Sequence, residues 1–561
     1  MTDSRPSLYP ELTRPSSAGP AGRLDEALYD LVEARFERLL RDNPILATAI
    51  GIHEHDDELG DASVDALLAE VEADKAHLTM IESLDPDELS EEARFERDLE
   101  IHNVRQSTLE AEELRIWERR SIALDSLGDG LFLLFVRDHA PLAERLQAIA
   151  GRLEDAPVYL EQARTRARAP QVRLWQKIEI ESASEMPSFF DEIVAAAEGV
   201  LGDRDFRRLE RAVDGAKIAV AEHRGWLHDT LADGTDEWAT GRELHDRIVA
   251  HRAFDGLDSD QILELGLQKL AEEREGRAAM AREIDPHATE AEVIDRVKSD
   301  HAATFQGALD GYRDAMLRAR QHLIDHDLAS IPEGEGIDVV ETPRYLHNVI
   351  PFAAYFEPAK FDRTQTGIYV VTPSVGDNTG AMREHNVASI SNTSIHEAYP
   401  GHHLQLTVAS RHPSLTRLLA NAPEFVEGWG MYSELMMREH GFDDDPRFRL
   451  ILHTDAIWRA CRIILDVRMH RGELTIDEAV RFLVEQTSFE EPNARAEVQW
   501  YSFRPTYPMS YLLGRTLLLG LRADEQRRLG DRFNLREFHD TLLRNGSIPI
   551  SFHRRLLTAS A

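Results

Sequence analysis

The sequence predicts a mainly α-helical protein in two lobes, with one small β-sheet ahead of the C-terminal helices. Three observations support this. Apolar residues recur at helical spacing along most of the chain, as at Leu28, Leu31, Val32, Phe36 and Leu39–Leu40, or at Leu67, Leu68, Val71 and Leu78. Strand-like runs are confined to one stretch after residue 330. The 561 residues exceed what a single hydrophobic core usually organises, so two lobes are expected.

Taken in order, residues 1–20 are polar and rich in Pro and Ser, which predicts a disordered tail. A helical lobe over 21–330 follows, with helices near Ile178–Leu201, Phe206–Leu231 and Ile262–Ile284. Pro44, Pro86, Pro141, Pro170, Pro187 and Pro286 are expected near breaks between helices. The texture changes at Ile331-Pro332-Glu333-Gly334-Glu335-Gly336. Ile337–Val340, Asn348–Tyr355 and Gly367–Thr372 then read as short strands, punctuated by Pro343, Pro351, Pro358 and Pro373. From about Ala388 the chain is helical again, and 331–561 makes the second lobe.

Hydrophobic residues at 42% and charged residues at 29% are ordinary, but a formal net charge of -37 is not. Such an acidic chain is a poor partner for nucleic acid or anionic membranes, which both demand basic surface. Cys461 is the only cysteine, so no disulfide within the chain and no cysteine-based metal site is expected. Its neighbours Ile457, Ile463 and Ile464 place it in the core. The first twenty residues lack the apolar segment of a secretory signal, and no run is apolar and long enough to span a bilayer. These features lead to the expectation of a soluble cytoplasmic protein. A homodimer is compatible with the sequence.

The richest chemistry lies in His396-Glu397-Ala398-Tyr399-Pro400-Gly401-His402-His403, followed by Glu427-Gly428-Trp429-Gly430-Met431-Tyr432-Ser433-Glu434. Two imidazoles and a later carboxylate suit a single zinc ion, and Glu397 stands where a general base would act on water. The usual spacing between the two histidines is four residues, whereas His402 and His403 follow His396 by six and seven. On an unbroken helix His403 would lie about 10 Å further along the axis, and His402 would point elsewhere. Pro400 cannot donate to the carbonyl of His396, so a kink or bulge at Pro400-Gly401 is expected to bring His402 onto His396. His402 is therefore favoured over His403, which becomes a supporting or substrate-facing group. The competing reading is a polar helix start, with Ser391-Asn392-Thr393-Ser394 as capping groups.

The third ligand is expected from a helix over Glu424–His440, opened by Pro423 and closed before Gly441. Glu427 is preferred, with Glu424 as substitute. Glu434 and Arg438 read either as supporting groups or as a surface ion pair of little value.

These motifs resemble the HExxPGHH and EGWxxYxE signatures of a widespread bacterial family known as a domain of unknown function, related to the gluzincin metallopeptidases. Its fold resembles the clefted helical carboxypeptidase Taq family, a zincin-like architecture. The resemblance extends to Pro44–Gly51, to Asp466–His470 with Arg459 and Arg462, and to Glu497–Tyr501 and Pro505–Gly514. It implies His396, His402 and Glu427 as ligands of one Zn2+ per chain, and Glu397 as base. Val498-Gln499-Trp500-Tyr501 departs from the family pattern, which has Arg before the Tyr; Arg504 or Arg495 is the substitute.

The resulting expectation is a zinc-dependent peptidase of carboxypeptidase or oligopeptidase type, acting on short peptides in a cleft between helical lobes. Tyr511 is the first candidate for the oxyanion donor, with Tyr507 and Tyr501 behind it. Arg459, Arg462, Asp466 and His470 form a polar stripe that supports the ligands or links the lobes. Arg504 and Arg515 are candidates for a substrate's terminal carboxylate. Gly367–Thr372 offers a strand edge to an extended peptide. The alternatives are a metal-dependent amidohydrolase for a non-peptide amide, and an inactive helical binding scaffold.

Overall fold

Helical periodicity becomes helix over most of the chain, and the expectation of a mainly α protein with one small sheet holds. The structure, a computed structural model, describes residues 21–342, 347, 350, 352–373, 381–487 and 489–559. The expected tail at 1–20 lies outside the described residues, as do Asn348, Val349 and Pro351 of the second strand-like run. Among the described residues no helix is long and apolar enough to cross a membrane.

The chain divides into two compact units. The first comprises residues up to Trp238 together with Ala359–Gln365 and Pro413–Leu419. Its long helices Leu142–Arg166, Arg173–Ala197 and Asp203–Thr230 pack together and bury Leu146, Ile149, Leu153, Phe189, Phe190, Leu209 and Val213. Pro187 lies inside the second of these helices and not at a break. Burial of Phe189, Phe190 and Ile193 just beyond it outweighs one missing backbone hydrogen bond. The two inserted segments are stitched in locally. Phe361 donates its N–H to Ile50 O and packs with Phe36, Leu40 and Ala47, alongside Leu415 and Leu418.

The second unit holds the sheet and the remaining helices. Strands β1 (Gly336–Glu341), β2 (Ala353–Phe356) and β3 (Thr366–Val371) lie in the order β1-β3-β2. β3 pairs in parallel with β1, Gly336 opposite Thr366, and antiparallel with β2, Phe356 opposite Ile368. This corrects the idea that Gly367–Thr372 offers a free edge. β3 is the central strand, its backbone taken on both sides and Tyr369, Val370 and Val371 fully buried.

Four helices of this unit frame the motifs. Val387–Glu397 carries the first histidine, and His402–Ala409 begins at the second. Pro423–Glu439 carries the glutamate and packs against Ser510–Leu529. Pro446–His470 supplies the polar stripe and packs on Ser259–Ile284. The glutamate helix starts at Pro423 and gives way to Gly441 in the left-handed region at φ 85°, as its sequence suggested.

Candidate metal centre

The histidine helix is capped by Asn386, whose side chain accepts the Ser389 N–H at 2.9 Å. Ser391–Ser394 therefore do not cap it; they lie inside the helix, and Asn392 turns inward to Glu434 and Asp455. The helix stops at Glu397, residues 398–401 form a non-helical turn, and a new helix starts at His402. A complete break thus replaces the expected kink or bulge within one helix. The physical reason is local. Pro400 has no N–H to donate, and a Cβ at Gly401 would overlap the carbonyl oxygen of His396. Trp429 Nε1 donates to Pro400 O at 2.8 Å and ties this turn to the glutamate helix.

The break brings His402 onto His396. Their rings stand 4.7 Å apart at 89°, so lone pairs from two different planes can meet. His396 Nε2 lies 3.7 Å and His402 Nε2 3.4 Å from the same oxygen, Glu427 Oε2. The three donor atoms fall within 4.8 Å of one another. Bonds of about 2.0–2.1 Å around a tetrahedral zinc would separate neighbouring donors by roughly 3.3 Å. Two imidazoles and one carboxylate at these separations, each side chain nearly buried, fit a zinc ion with one position left for water or substrate.

The surroundings fix each donor. His396 Nδ1 is 2.7 Å from Glu434 Oε1, the carboxylate–histidine pairing that orients a ligand and strengthens it. Glu434 also accepts from Asn392 Nδ2 at 2.9 Å and is buried, as is Arg438, so neither belongs to a surface ion pair. Gly430 leaves room for the His396 ring, since a Cβ there would lie 2.6–2.9 Å from three of its atoms. The second oxygen of Glu427 accepts the Tyr507 hydroxyl at 2.8 Å, which leaves Oε2 alone facing the histidines. His402 Nδ1 is buried without a hydrogen bond among the described residues.

Charge follows the same pattern. Burial alone would lower the His396 imidazole, but Glu427 and Glu434 outweigh it and raise it to about 10. Burial opposes ionisation of Glu427, yet His396 and His402 hold its carboxyl well below the ordinary carboxylate range. Glu397 ends the histidine helix half-buried, and no described residue hydrogen-bonds its carboxylate.

His403 does not join the cage. Its Nδ1 is 2.9 Å from the Tyr355 hydroxyl and its Nε2 is 2.7 Å from Glu335 Oε2, so both nitrogens are occupied. Glu335 also accepts from Tyr399 and from Arg320, and these partners overcome burial to lower it to about 2. Sequence reasoning missed Glu335 because no motif marks a lone acid in a Gly-rich turn. Glu424 is buried on the same helix as Glu427 but outside the donor cluster.

The remaining candidates divide. Tyr501 hydrogen-bonds Glu497 at 2.6 Å and lies 3.2 Å from both Trp458 and Arg462, which removes it as an oxyanion donor. Tyr511 meets Tyr507 edge to face, and the Arg462 guanidinium lies over its ring, 4.5 Å from the centre. Arg515 is buried against Glu273, and Arg495 pairs with Asp477 and Glu491, so neither is available for substrate. Arg504 is exposed and forms no ion pair among the described residues. Asp466 and His470 are fully buried and touch no donor; they hold the chain that leads to Tyr507. Burial pushes the Cys461 thiol up to about 12, in keeping with a core residue.

A second cluster, in the first unit, had no signal in the sequence. His53 lies 2.7 Å from both Asp56 and Asp362, and His139 Nε2 lies 3.4 Å from Asp56. The two rings are stacked 3.9 Å apart at 3°, so their in-plane lone pairs run parallel and do not converge on one ion. A shared proton fits this geometry better than a metal.

A family model described as "Bacterial protein of unknown function (DUF885)" matches residues 44–557. No curated protein matches the chain. Among solved structures that share its fold are two described as putative lipoproteins. One is a putative lipoprotein of unknown function from Shewanella oneidensis, with a TM-score of 0.78 and 21% identity, covering 95% of this chain and 99% of its own. The other is a putative lipoprotein from Colwellia psychrerythraea, with a TM-score of 0.83 and 18% identity, covering 96% and 99%. These relatives overturn the expectation of a cytoplasmic protein. That expectation rested on the lack of a secretory signal segment and of a long apolar run, whereas both of these structures are described as putative lipoproteins.

Proposed function

The chain belongs to the bacterial family of unknown function DUF885, and from the chemistry of its own side chains we propose that it is a zinc-dependent peptidase of short peptides, carboxypeptidase- or oligopeptidase-like. Kinship with the gluzincins and a carboxypeptidase Taq-like architecture are part of the same proposal. The observation that carries it is the convergence of His396 Nε2, His402 Nε2 and Glu427 Oε2, with Glu397 next to His396 in the chain and its carboxylate without a hydrogen bond among the described residues.

His396, His402 and Glu427 would hold the zinc ion, which would supply Lewis acidity toward a peptide carbonyl and toward water. Glu397 takes the proton of the attacking water and passes it to the departing amine, a role that needs a carboxylate free of other partners. Glu434 keeps His396 in the tautomer that presents Nε2 inward. The Tyr511 hydroxyl donates to the oxygen that gains charge, while Tyr507 is committed to Glu427. Arg504, exposed and without an ion pair among the described residues, is a cation that could meet a substrate carboxylate.

Metal analysis of the purified chain and a panel of peptides and acylated amino acids, assayed with zinc, test this reading. Near-stoichiometric metal and peptide cleavage are expected. Cleavage of the acylated amino acids alone would assign an amidohydrolase, and absence of any transition metal would leave a binding scaffold.

A further inference from the structure

Tyr507 can restrict Glu427 to one oxygen only if the turn that carries it is held in place. That turn joins helix Glu491–Tyr501 to helix Ser510–Leu529, and its conformation is costly. Thr506, the residue before Tyr507, sits at φ 69°, in the left-handed region where a β-branched side chain is disfavoured. Something must offset that cost. The Thr506 N–H points at Asp466, 2.9 Å from Oδ2 and 3.1 Å from Oδ1. Asp466 is itself fully buried, and its Oδ1 also lies 3.0 Å from His245 Nε2. One helical turn on from Asp466, His470 Nε2 lies 3.1 Å from Tyr501 O, where the preceding helix ends. Ser510 Oγ donates to Thr506 O at 3.0 Å and closes the turn from the other side.

We propose that Asp466 is a positioning residue of the metal centre: by gripping the Thr506 N–H it holds the left-handed turn that keeps the Tyr507 hydroxyl on Glu427 Oε1. His245 orients Asp466 in this role. The effect on the cage is specific. With Oε1 occupied by Tyr507, Glu427 offers a single oxygen to a cation and cannot swing to a two-oxygen mode that would crowd the open position. The inference rests on the zinc reading above.

Zinc affinity of the full chain, measured by competition with a chromophoric chelator, tests it through Y507F, D466A, the double variant D466A/Y507F, T506G and D466A/T506G; alanine is used because an asparagine oxygen could still accept the Thr506 N–H. Y507F and D466A should each weaken zinc binding by about 10-fold, the lower end of what lost support groups cost a metal site. The double variant should be no weaker than the worse single variant, because both act through one hydrogen bond. Glycine enters the left-handed region freely, so T506G placed on D466A should recover most of the loss. Wild-type affinity in D466A, additive losses in the double variant, or no recovery with T506G would each overturn the inference. Should D466A alone not fold, D466A/T506G is compared with T506G: affinities within about 3-fold are expected, and a gap of about tenfold or more refutes the role. A wild-type chain that binds no zinc sinks the metal reading itself, an outcome distinct from zinc binding that ignores Asp466.

Discussion

A single methyl group at Gly430 should disable the cage without altering any of its three donors. The Cβ of Gly430→Ala would lie 2.6 Å from His396 Cε1, 2.7 Å from Nε2 and 2.9 Å from Nδ1. Ordinary contact between such atoms begins near about 3.5 Å, so the ring must retreat by roughly 0.6–0.9 Å. It has little freedom to do so, since Nδ1 is already 2.7 Å from Glu434 and the helix beneath it is buried. Productive ligand geometry tolerates about 0.5 Å of error. Zinc affinity should therefore fall about 10- to 100-fold, equivalent to about 1.4–2.7 kcal/mol. Stability should respond differently. Alanine favours the helix over glycine by about 1 kcal/mol, which offsets part of the strain of moving the ring. Competition with a chromophoric chelator and thermal unfolding of the metal-free protein separate the two effects. Wild-type zinc affinity in the variant, or a collapse of metal-free stability with zinc binding intact, would refute the reasoning.

Other outcomes follow from the same geometry. Glu397→Gln should retain zinc within about 3-fold while peptide turnover drops by about 10²–10⁴; retained turnover would remove Glu397 as base. His402→Ala should lose zinc by more than about 100-fold and His403→Ala by less than about 10-fold, measured by the same chelator competition, since His403 is bound to Glu335 and Tyr355 instead. The opposite order would exchange the two assignments. His53 gives a pH signature in the first unit. Burial lowers its imidazole, but Asp362 and Asp56 outweigh that and raise it to about 9 in the folded chain. A raised imidazole adds stability that is complete below its unfolded value and disappears as pH climbs through about 9. Its side chain is 32% exposed, so after allowance for screening the contribution is on the order of 1–2 kcal/mol. Urea unfolding between about pH 6 and 10 should show this decline in the wild type and a flatter profile in His53→Gln; equal slopes would exclude that contribution.

Much of the site was written in short-range chemistry. Pro400 removes one N–H of a helix ladder and Gly401 weakens what remains, so a disturbance of the helix between His396 and His402 could be anticipated from their identities. The glutamate helix announced itself through Pro423, Gly441 and its apolar faces. The form of the break was less accessible. Kink, bulge and full termination all satisfy the missing N–H of proline, and the choice fell to Trp429 Nε1, which captures the Pro400 carbonyl from 29 residues away. Ser391–Ser394 misled because polar residues before an apolar one suggest a cap, whereas carboxylates on neighbouring helices, Glu434 and Asp455, claimed Asn392.

The amino-acid sequence alone determined which chemical groups are present and where the backbone must change course: two imidazoles, an acid beside the first, a second acid on a later helix and a proline between. Tertiary packing decided which of them meet. It turned His403 toward Glu335, 68 residues back, set Asp466 against Thr506 across 40 residues, and made β3 a central strand where an edge was expected. The reason is geometric. Helical and strand periodicity encodes the direction of a side chain relative to its own element, whereas coordination and hydrogen bonding depend on distances of a few tenths of an ångström between elements, which only the packed core sets.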